Sequence, residues 1–245
     1  MILSKPLARV RPLARAARNF VYRIAYQGTG KFCPVCEKQS RRFKPFGIEY
    51  TREQAMCVHC GALERHRLVW LFLERWADVL TAPGKRVLHI APEPCEARIR
   101  RLVGKGYVSA DRSDPTVDKH FDVTSIPYPN GSFDFIYCSH VLEHVDDDRK
   151  ALREFRRVLA PGGIALFLVP ITAAETFEDF SIRDPKDREL AFGQNDHVRR
   201  YGPDFIDRLA DAGFQVQMIQ ESEVANPDEI AVMGLEGAGE LFLGV

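Results

Sequence analysis

The chain has 245 residues, 45% of them hydrophobic and 28% charged, with 34 basic and 34 acidic side chains. That length suits one sizeable core plus a small accessory module, and the composition excludes collagen-like, low-complexity and repeat architectures. The zero net charge hides an asymmetry: residues 1–32 carry Lys5, Arg9, Arg11, Arg15, Arg18, Arg23 and Lys31 without one acid, and the remainder is net −7. A bulk attraction of the main domain to nucleic acid is thereby excluded; any such contact belongs to the head of the chain.

No stretch approaches the ~20 apolar residues that span a bilayer, and the N-terminus lacks the apolar core and small-residue cleavage site of a secretory signal. A cytoplasmic protein is expected, so the six cysteines read as metal ligands or buried residues before disulfides.

Residues 1–31 form a basic N-terminal segment. As a helix, residues 6–26 would set Val10, Leu13, Ala17, Phe20 and Ile24 near one face and most arginines on the other, with Pro12 interrupting. Two readings stand: residues 1–25 contact an anionic membrane, at the inner surface, or they are a plain basic tail. Residues 32–62 hold two CxxC knuckles, Cys33-Pro-Val-Cys36 and Cys57-Val-His-Cys60, 20 residues apart. That spacing predicts a zinc ribbon with a structural Cys₄ site, because four thiolates leave no open coordination position. His59 and His66 are then spare surface or packing residues.

Residues 63–84 form a connecting segment, helical over 63–80 through Leu68, Leu71, Phe72, Val79 and Leu80 and stopped by Pro83-Gly84. From residue 85 to 245 short apolar strands alternate with helices. Strands are expected over 86–91, 107–110, 120–123, 133–138, 164–169, 214–219 and 240–245, and helices over 95–103, 148–159 and 203–212. Pro161-Gly162-Gly163 closes the second of these helices. The expectation is a doubly wound, Rossmann-like seven-stranded α/β sheet with the small N-terminal zinc ribbon attached.

In such a sheet ligands bind beyond the carboxyl ends of the strands, where strand order reverses. That rule selects the loop His89-Ile-Ala-Pro-Glu-Pro-Cys95, the acid Asp111 ending the second strand, and the loops after strands three and four. A carboxylate at Asp111 can accept hydrogen bonds from both ribose hydroxyls of an adenosine ligand.

The order Asp122-Val-Thr-Ser-Ile-Pro127, Phe133-Asp-Phe-Ile-Tyr-Cys138, His140-Val-Leu-Glu-His144 and Arg153-Glu-Phe-Arg-Arg-Val-Leu-Ala-Pro-Gly-Gly163 resembles the class I methyltransferases over residues 86–214. The resemblance implies S-adenosylmethionine as cofactor, with Asp111 at the ribose, Asp122 and Val123 at the adenine, and the loop of Cys138, Ser139, His140 and Val141 beside the methionine portion. Arg112 and Thr124 flank the same positions. The usual glycine-rich loop is replaced by His89 and the glycine-free Ala91-Pro92-Glu93-Pro94, where Glu93 is placed to approach the cofactor's ammonium group. A bacterial subgroup with a ribbon ahead of this domain is similar, including its Ala-Pro-Glu-Pro loop.

Methyl transfer needs an aligned nucleophile, excluded water and sometimes a base. His140 and His197 are the catalytic expectations. Glu143, His144, Asp196, His197, Arg199 and Tyr201 are the expected substrate contacts, and residues 172–195, with Phe177, Glu178 and Asp179, the expected lid. The leading expectation is methylation of a small molecule, a sugar or an envelope precursor. One alternative is an RNA methyltransferase, with Arg41, Arg42, Lys44, Arg52, Arg65 and Arg67 on phosphates and Phe43 or Phe46 stacking on bases. Another is a non-catalytic membrane-docked scaffold.

Overall fold

Two short antiparallel hairpins open the chain in the computed structural model, which describes residues 24–47, 50–78, 82 and 84–245. Strand β1 (Lys31–Cys33) pairs with β2 (Lys38–Ser40), and β3 (Lys44–Phe46) with β4 (Arg52–Met56). Each CxxC knuckle closes the same way. Glu37, at φ 57°, donates its amide to the Cys33 carbonyl, and Gly61, at φ 79°, donates to that of Cys57. The expected contact of residues 1–25 with a membrane lies outside the described residues through position 23. Among the described residues no helix is long and apolar enough to cross a membrane.

Helix α1 (Glu64–Arg75) follows, burying Leu68, Val69, Trp70, Leu71, Phe72 and Leu73. It ends at Arg75, earlier than the expected 63–80; Val79, Leu80 and Pro83 lie outside the described residues.

Five strands then build a parallel sheet: β5 (Val87–Ile90), β6 (Tyr107–Asp111), β7 (Lys119–His120), β8 (Phe133–Ser139) and β9 (Leu159–Leu168). Helix α2 (Glu96–Val103) links β5 to β6, and α3 (Asp148–Val158) links β8 to β9. All four residues of β5 are buried, as expected of a parallel strand covered on both faces. After β9 come β10 (Phe177–Glu178), α4 (Pro185–Phe192), β11 (Arg199–Arg200), α5 (Phe205–Asp211), β12 (Val216–Ile219), α6 (Glu221–Val224), α7 (Pro227–Met233) and β13 (Leu241–Gly244).

The seven-stranded order is β12-β13-β9-β8-β5-β6-β7, with β13 antiparallel to both neighbours. The chain runs outward from β5 through β6 to β7, then restarts on the other side at β8. The topological switch point therefore lies between β5 and β8, and the crevice for a ligand opens at their carboxyl ends.

Pro161-Gly162-Gly163 does not end the helix. Leu159 already turns extended at the close of α3, and the three residues sit inside β9 as a bulge. The register with β8 jumps from Phe133↔Leu159 to Phe135↔Ile164. Gly162 lies at φ 72°, and a Cβ on Gly163 would come within 2.9 Å of the Ala160 carbonyl oxygen, which is why glycines stand there.

Two apolar clusters flank the sheet. One packs α3 and α5 through Leu152, Phe155, Phe205 and Leu209. The other joins α1 and the ribbon to the opposite face, so that Cys33, Cys57, Trp70, Tyr137 and Leu168 share a core. Arg67 locks that junction from inside. Its guanidinium is fully buried, donates to the carbonyls of Ala55, Ala62, Met233 and Gly234, and lies 4.1 Å from the Phe43 ring centroid.

Candidate active site and metal centre

The four ribbon cysteines converge. Sulfur atoms of Cys33 and Cys60 lie 3.7 Å apart, those of Cys36 and Cys57 lie 3.8 Å apart, and all four fall within 4.8 Å of one another. A tetrahedral zinc thiolate with bonds of about 2.3 Å has edges of about 3.8 Å. These separations are far too long for a disulfide, so the donor set fits Zn²⁺ closed on all four sides. His59 stays outside, its Nε2 meeting the Gln39 carbonyl. His66 is buried instead: its Nδ1 accepts from the Leu63 amide, so its Nε2–H donates to Glu93 at 2.6 Å.

Two cavities near the carboxyl ends of the strands share His144 in their walls. The first, about 410 Å³, is lined by Ile90, Asp111, Arg112, Asp122, Val123 and Lys150, together with Thr124 and His144. Asp111 ends β6 with one carboxylate oxygen, Oδ1, held by the amides of Ser113 and Asp114; no described residue bonds the other. Asp122 caps its own turn through the Thr124 amide and hydroxyl, and these bonds lower its carboxyl below the usual range. A fixed carboxylate at the strand end beside a pocket floored by Val123 suits the ribose and base of an adenosine cofactor. The expected set Asp111, Arg112, Asp122, Val123 and Thr124 is thus brought together in one cavity.

The loop after β5 departs from expectation. His89 is a core residue: fully buried, it bonds Tyr107 Oη through Nδ1 at 2.7 Å and packs on the Tyr137 ring. It reaches no cavity, because alternation along the strand points it into the sheet face. Ala91 takes the left-handed conformation, φ 47°, that a glycine ordinarily supplies, and its amide bonds the Ala110 carbonyl. The tight turn therefore exists without the glycine, and Pro92 follows it half-buried. Glu93 already has three partners: Oε1 accepts from His66 and Arg65, and Oε2 from Tyr137. Burial opposes its ionisation, but the His66 and Arg65 contacts outweigh burial and hold the carboxyl well below its usual range. Glu93 ties the loop to α1 and β8 and lines neither cavity.

The second cavity, about 430 Å³, is walled by the ribbon through Phe46, Tyr50 and Arg52, by α1, and by Gly237–Glu240 near the C-terminus. Its floor carries His140, Glu143, His144 and His197. His140 stands at φ 52°, directly after Ser139, with Nδ1 3.2 Å from Glu143. Glu143 is 1% exposed. Burial alone would raise its carboxyl, yet the His140 hydrogen bond and the His140 and His144 charges bring it below the ordinary value. His197 is buried, and desolvation lowers its pKa. Asp196 is exposed and lies 3.3 Å from His144 Nδ1. Ser139 is buried at the strand end and Val141 is half-buried.

Tyr201 lines neither cavity, and Arg199, although in the wall of the second, is tied down by the fold. Arg199 is sealed, donating to the carbonyls of Leu142, Val145 and Asp146 and to Glu178. Tyr201, fully buried, donates to Asp148 at 2.6 Å. Both hold the loop after β8 in place. The expected lid is anchored as well: Thr176 bonds Asp204, and Glu178 bonds Arg199 and Arg208. It also contains α4, whose signal was Asp184 as N-cap before Pro185. The ribbon and C-terminal walls of the second cavity carried no sequence signal, since they arrive from distant parts of the chain. Helix α7 did carry one, the capping box Asn226-Pro-Asp-Glu229.

Of the residues expected to meet RNA, Arg41 and Arg42 are exposed, but others are engaged within the fold. Arg67 and Phe43 are sealed in the core, Arg65 pairs with Glu93, and Arg52 pairs with Glu64 through two bonds.

A seven-stranded sheet of this order, with an acid ending the second strand beside an adenosine-sized cavity, defines the class I S-adenosylmethionine-dependent methyltransferase domain. Residues 76–167 match the family described as "Methyltransferase domain", and that part of the chain carries a domain of this kind. It is similar to a malonyl-[acyl-carrier protein] O-methyltransferase of Serratia marcescens, 25% identical over 82% of this chain and 69% of that one. It is also similar to a demethylmenaquinone methyltransferase of Halalkalibacterium halodurans, 29% identical over 58% and 60%. The match to a 27-O-demethylrifamycin SV methyltransferase of Amycolatopsis mediterranei is 35% identical, but covers 28% of this chain and only 25% of that relative. A solved methyltransferase structure from Mesorhizobium loti aligns over 72% of this chain and 96% of its own, with 17% identity and a TM-score of 0.49.

Proposed function

We propose that the protein transfers a methyl group from S-adenosylmethionine to a small polar acceptor, a sugar or an envelope precursor bearing a hydroxyl. The acceptor is held between the zinc ribbon and the catalytic sheet. The observation that carries this reading is that His144 lines both cavities, so a cofactor in one and an acceptor in the other would share a wall. A cavity of about 430 Å³ suits a small molecule. Relatives named for malonyl-[acyl-carrier protein], demethylmenaquinone and 27-O-demethylrifamycin SV support methyl transfer to a metabolic acceptor.

The cofactor supplies an electrophilic methyl group on a sulfonium. Asp111 would hold its ribose, with Asp122, Val123 and Thr124 around the base and the loop from Ser139 to Val141 near the reacting end. The acceptor hydroxyl gives its proton to His140 as its oxygen lone pair forms the new O–C bond. The C–S bonding pair remains on sulfur, which leaves as a neutral thioether. Glu143 orients His140 through Nδ1, freeing Nε2 for the proton. Zn²⁺ in the Cys₄ site would be structural and would fix the ribbon wall. Burial removes Arg67 and Phe43 from the RNA alternative, while Arg41 and Arg42 stay exposed.

The test is calorimetric titration of zinc-replete protein with S-adenosylhomocysteine, beside Asp111→Ala. The expectation is micromolar binding, weakened at least about tenfold by the substitution, or ~1.4 kcal/mol. Folded wild-type protein that binds neither the cofactor nor this product would overturn the reading.

A further inference from the structure

The floor of the acceptor cavity holds two polar atoms that the fold leaves unanswered. Glu143 Oε2 and His197 Nε2 are buried with no hydrogen-bond partner, although Glu143 is only 1% and His197 only 5% exposed. A buried polar atom left unpaired costs about 1–3 kcal/mol, and more when the group is charged. Two such atoms on one cavity wall point to a ligand that both would bind.

The geometry identifies what kind. Glu143, His144 and His197 each offer one ligand atom, and the three atoms lie within 4.8 Å of one another. The opposite sides of these groups are already steadied. His197 Nδ1 faces the Phe192 carbonyl at 3.3 Å, His144 Nδ1 faces Asp196 at 3.3 Å, and Glu143 Oε1 faces His140 at 3.2 Å. A metal-binding histidine characteristically gives its other ring N–H to a carbonyl or carboxylate, which fixes its tautomer and orientation. Here both histidines have that partner, and His197 Nε2, buried without one, is left for an ion. Their rings meet edge to face, with centroids 4.6 Å apart.

We propose that Glu143, His144 and His197 form a binding site for a divalent transition-metal ion on the wall between the cofactor pocket and the acceptor cavity. Two imidazoles and one carboxylate suit Zn²⁺, Fe²⁺, Co²⁺ or Ni²⁺; Mg²⁺ and Ca²⁺ call for oxygen donors throughout. Three protein ligands, unlike the four of the ribbon, leave a position open towards the cavity. An acceptor oxygen in that position would be held beside His144, the residue common to both cavities, and its O–H made more acidic. This role rests on the methyl-transfer reading above; the ion site itself does not.

The test uses the full-length protein with zinc already at the ribbon, titrated with Co²⁺ alone and followed by visible absorption and metal analysis. The expected result is one added equivalent of cobalt, with ligand-field bands and no thiolate-to-cobalt charge transfer, which separates this site from the cysteines. His144→Asn, at a partly exposed ring, and the near-isosteric Glu143→Gln should each weaken that uptake at least about tenfold, or ~1.4 kcal/mol, with unchanged circular dichroism. Wild-type protein that takes up no cobalt beyond the ribbon, or uptake indifferent to both substitutions, would overturn the site. S-adenosylhomocysteine binding by the same wild-type sample separates the two readings. Product binding without cobalt uptake removes only the metal site, and cobalt uptake without product binding removes only the cofactor reading.

Discussion

His89 sits wholly within the sheet, and burial in this apolar setting drives its pKa down from 6.5 to about 3. Desolvation is the largest cause, with the Arg100 and His66 charges adding to it and Glu93 opposing. The unfolded chain takes up a proton below pH 6.5 that the folded chain refuses until about pH 3. Stability from neutral His89 is therefore fully present above pH 6.5 and is lost as pH falls towards 3, by up to about 5 kcal/mol in all and about 2–3 kcal/mol at pH 4.5. Urea midpoints of wild type and His89→Gln, compared from pH 7 to 4.5, should show a flatter fall for the variant. Parallel curves would contradict the assignment. From the sequence, His89 looks like part of a ligand loop because it stands two residues before the turn at Ala91. Its direction depends on strand alternation and on Tyr107 and Tyr137, which neighbouring strands bring to it. Asp111 stood out for the converse reason: an acid closing an apolar strand is a local signal, and the fold sets it in the wall of a cavity.

Among the elements, α1 was legible from its apolar spacing, whereas the role of Arg67 on it was not. In sequence Arg67 is one cation among several near the ribbon. In the fold it supplies the hydrogen bonds for four buried carbonyls from three separate segments: β4, the turn before α1, and the end of α7. Arg67→Met keeps the apolar stem but strands those carbonyls, at a cost of at least about 3 kcal/mol. For a chain of this length that is a fall in melting temperature of roughly 6–12 °C. Arg41→Met, on the ribbon surface, should stay within about 0.5 kcal/mol. Equal melting temperatures for the two variants would show that Arg67 is dispensable to the junction. The bulge at Pro161-Gly162-Gly163 gives the same lesson for strands. Pro-Gly-Gly reads as a stop, and pairing with β8 before it at Leu159 and after it from Ile164 keeps β9 continuous.

At the scale of the whole molecule the ribbon is not an appendage. Cys33 and Cys57 belong to the same core as Trp70, Tyr137 and Leu168, and Arg98 on α2 donates to the carbonyls of Pro34 and Val35 in the first knuckle. Zinc bound there would stabilise the folded chain as a unit, since binding free energy at a site absent from the unfolded chain is folding free energy. Removing zinc with a strong chelator should shift a single calorimetric transition downward and leave no independent second melt. A ribbon transition separate from an unmoved main transition would refute this coupling. At temperatures where the chelated protein stays folded, S-adenosylhomocysteine affinity should change little. The cofactor cavity is lined from Ile90 to Lys150 and takes nothing from the ribbon.

By itself the sequence determined what local spacing can encode. The paired CxxC knuckles specify a four-sulfur centre, the alternation of strands and helices specifies a doubly wound sheet, and the acid at Asp111 with the Asp122-Val-Thr turn marks the wall of one cavity. Those signals are carried by residues a few positions apart. The tertiary structure alone decided which polar groups are sealed and which are open: it buried His89, Arg67, Arg199 and Tyr201 and occupied Glu93. It also assembled the second cavity from the ribbon, the loop after β8, the segment before β11 and the C-terminal loop. The physical reason is that burial and hydrogen-bond satisfaction are properties of contacts between distant segments, and no short-range pattern records them.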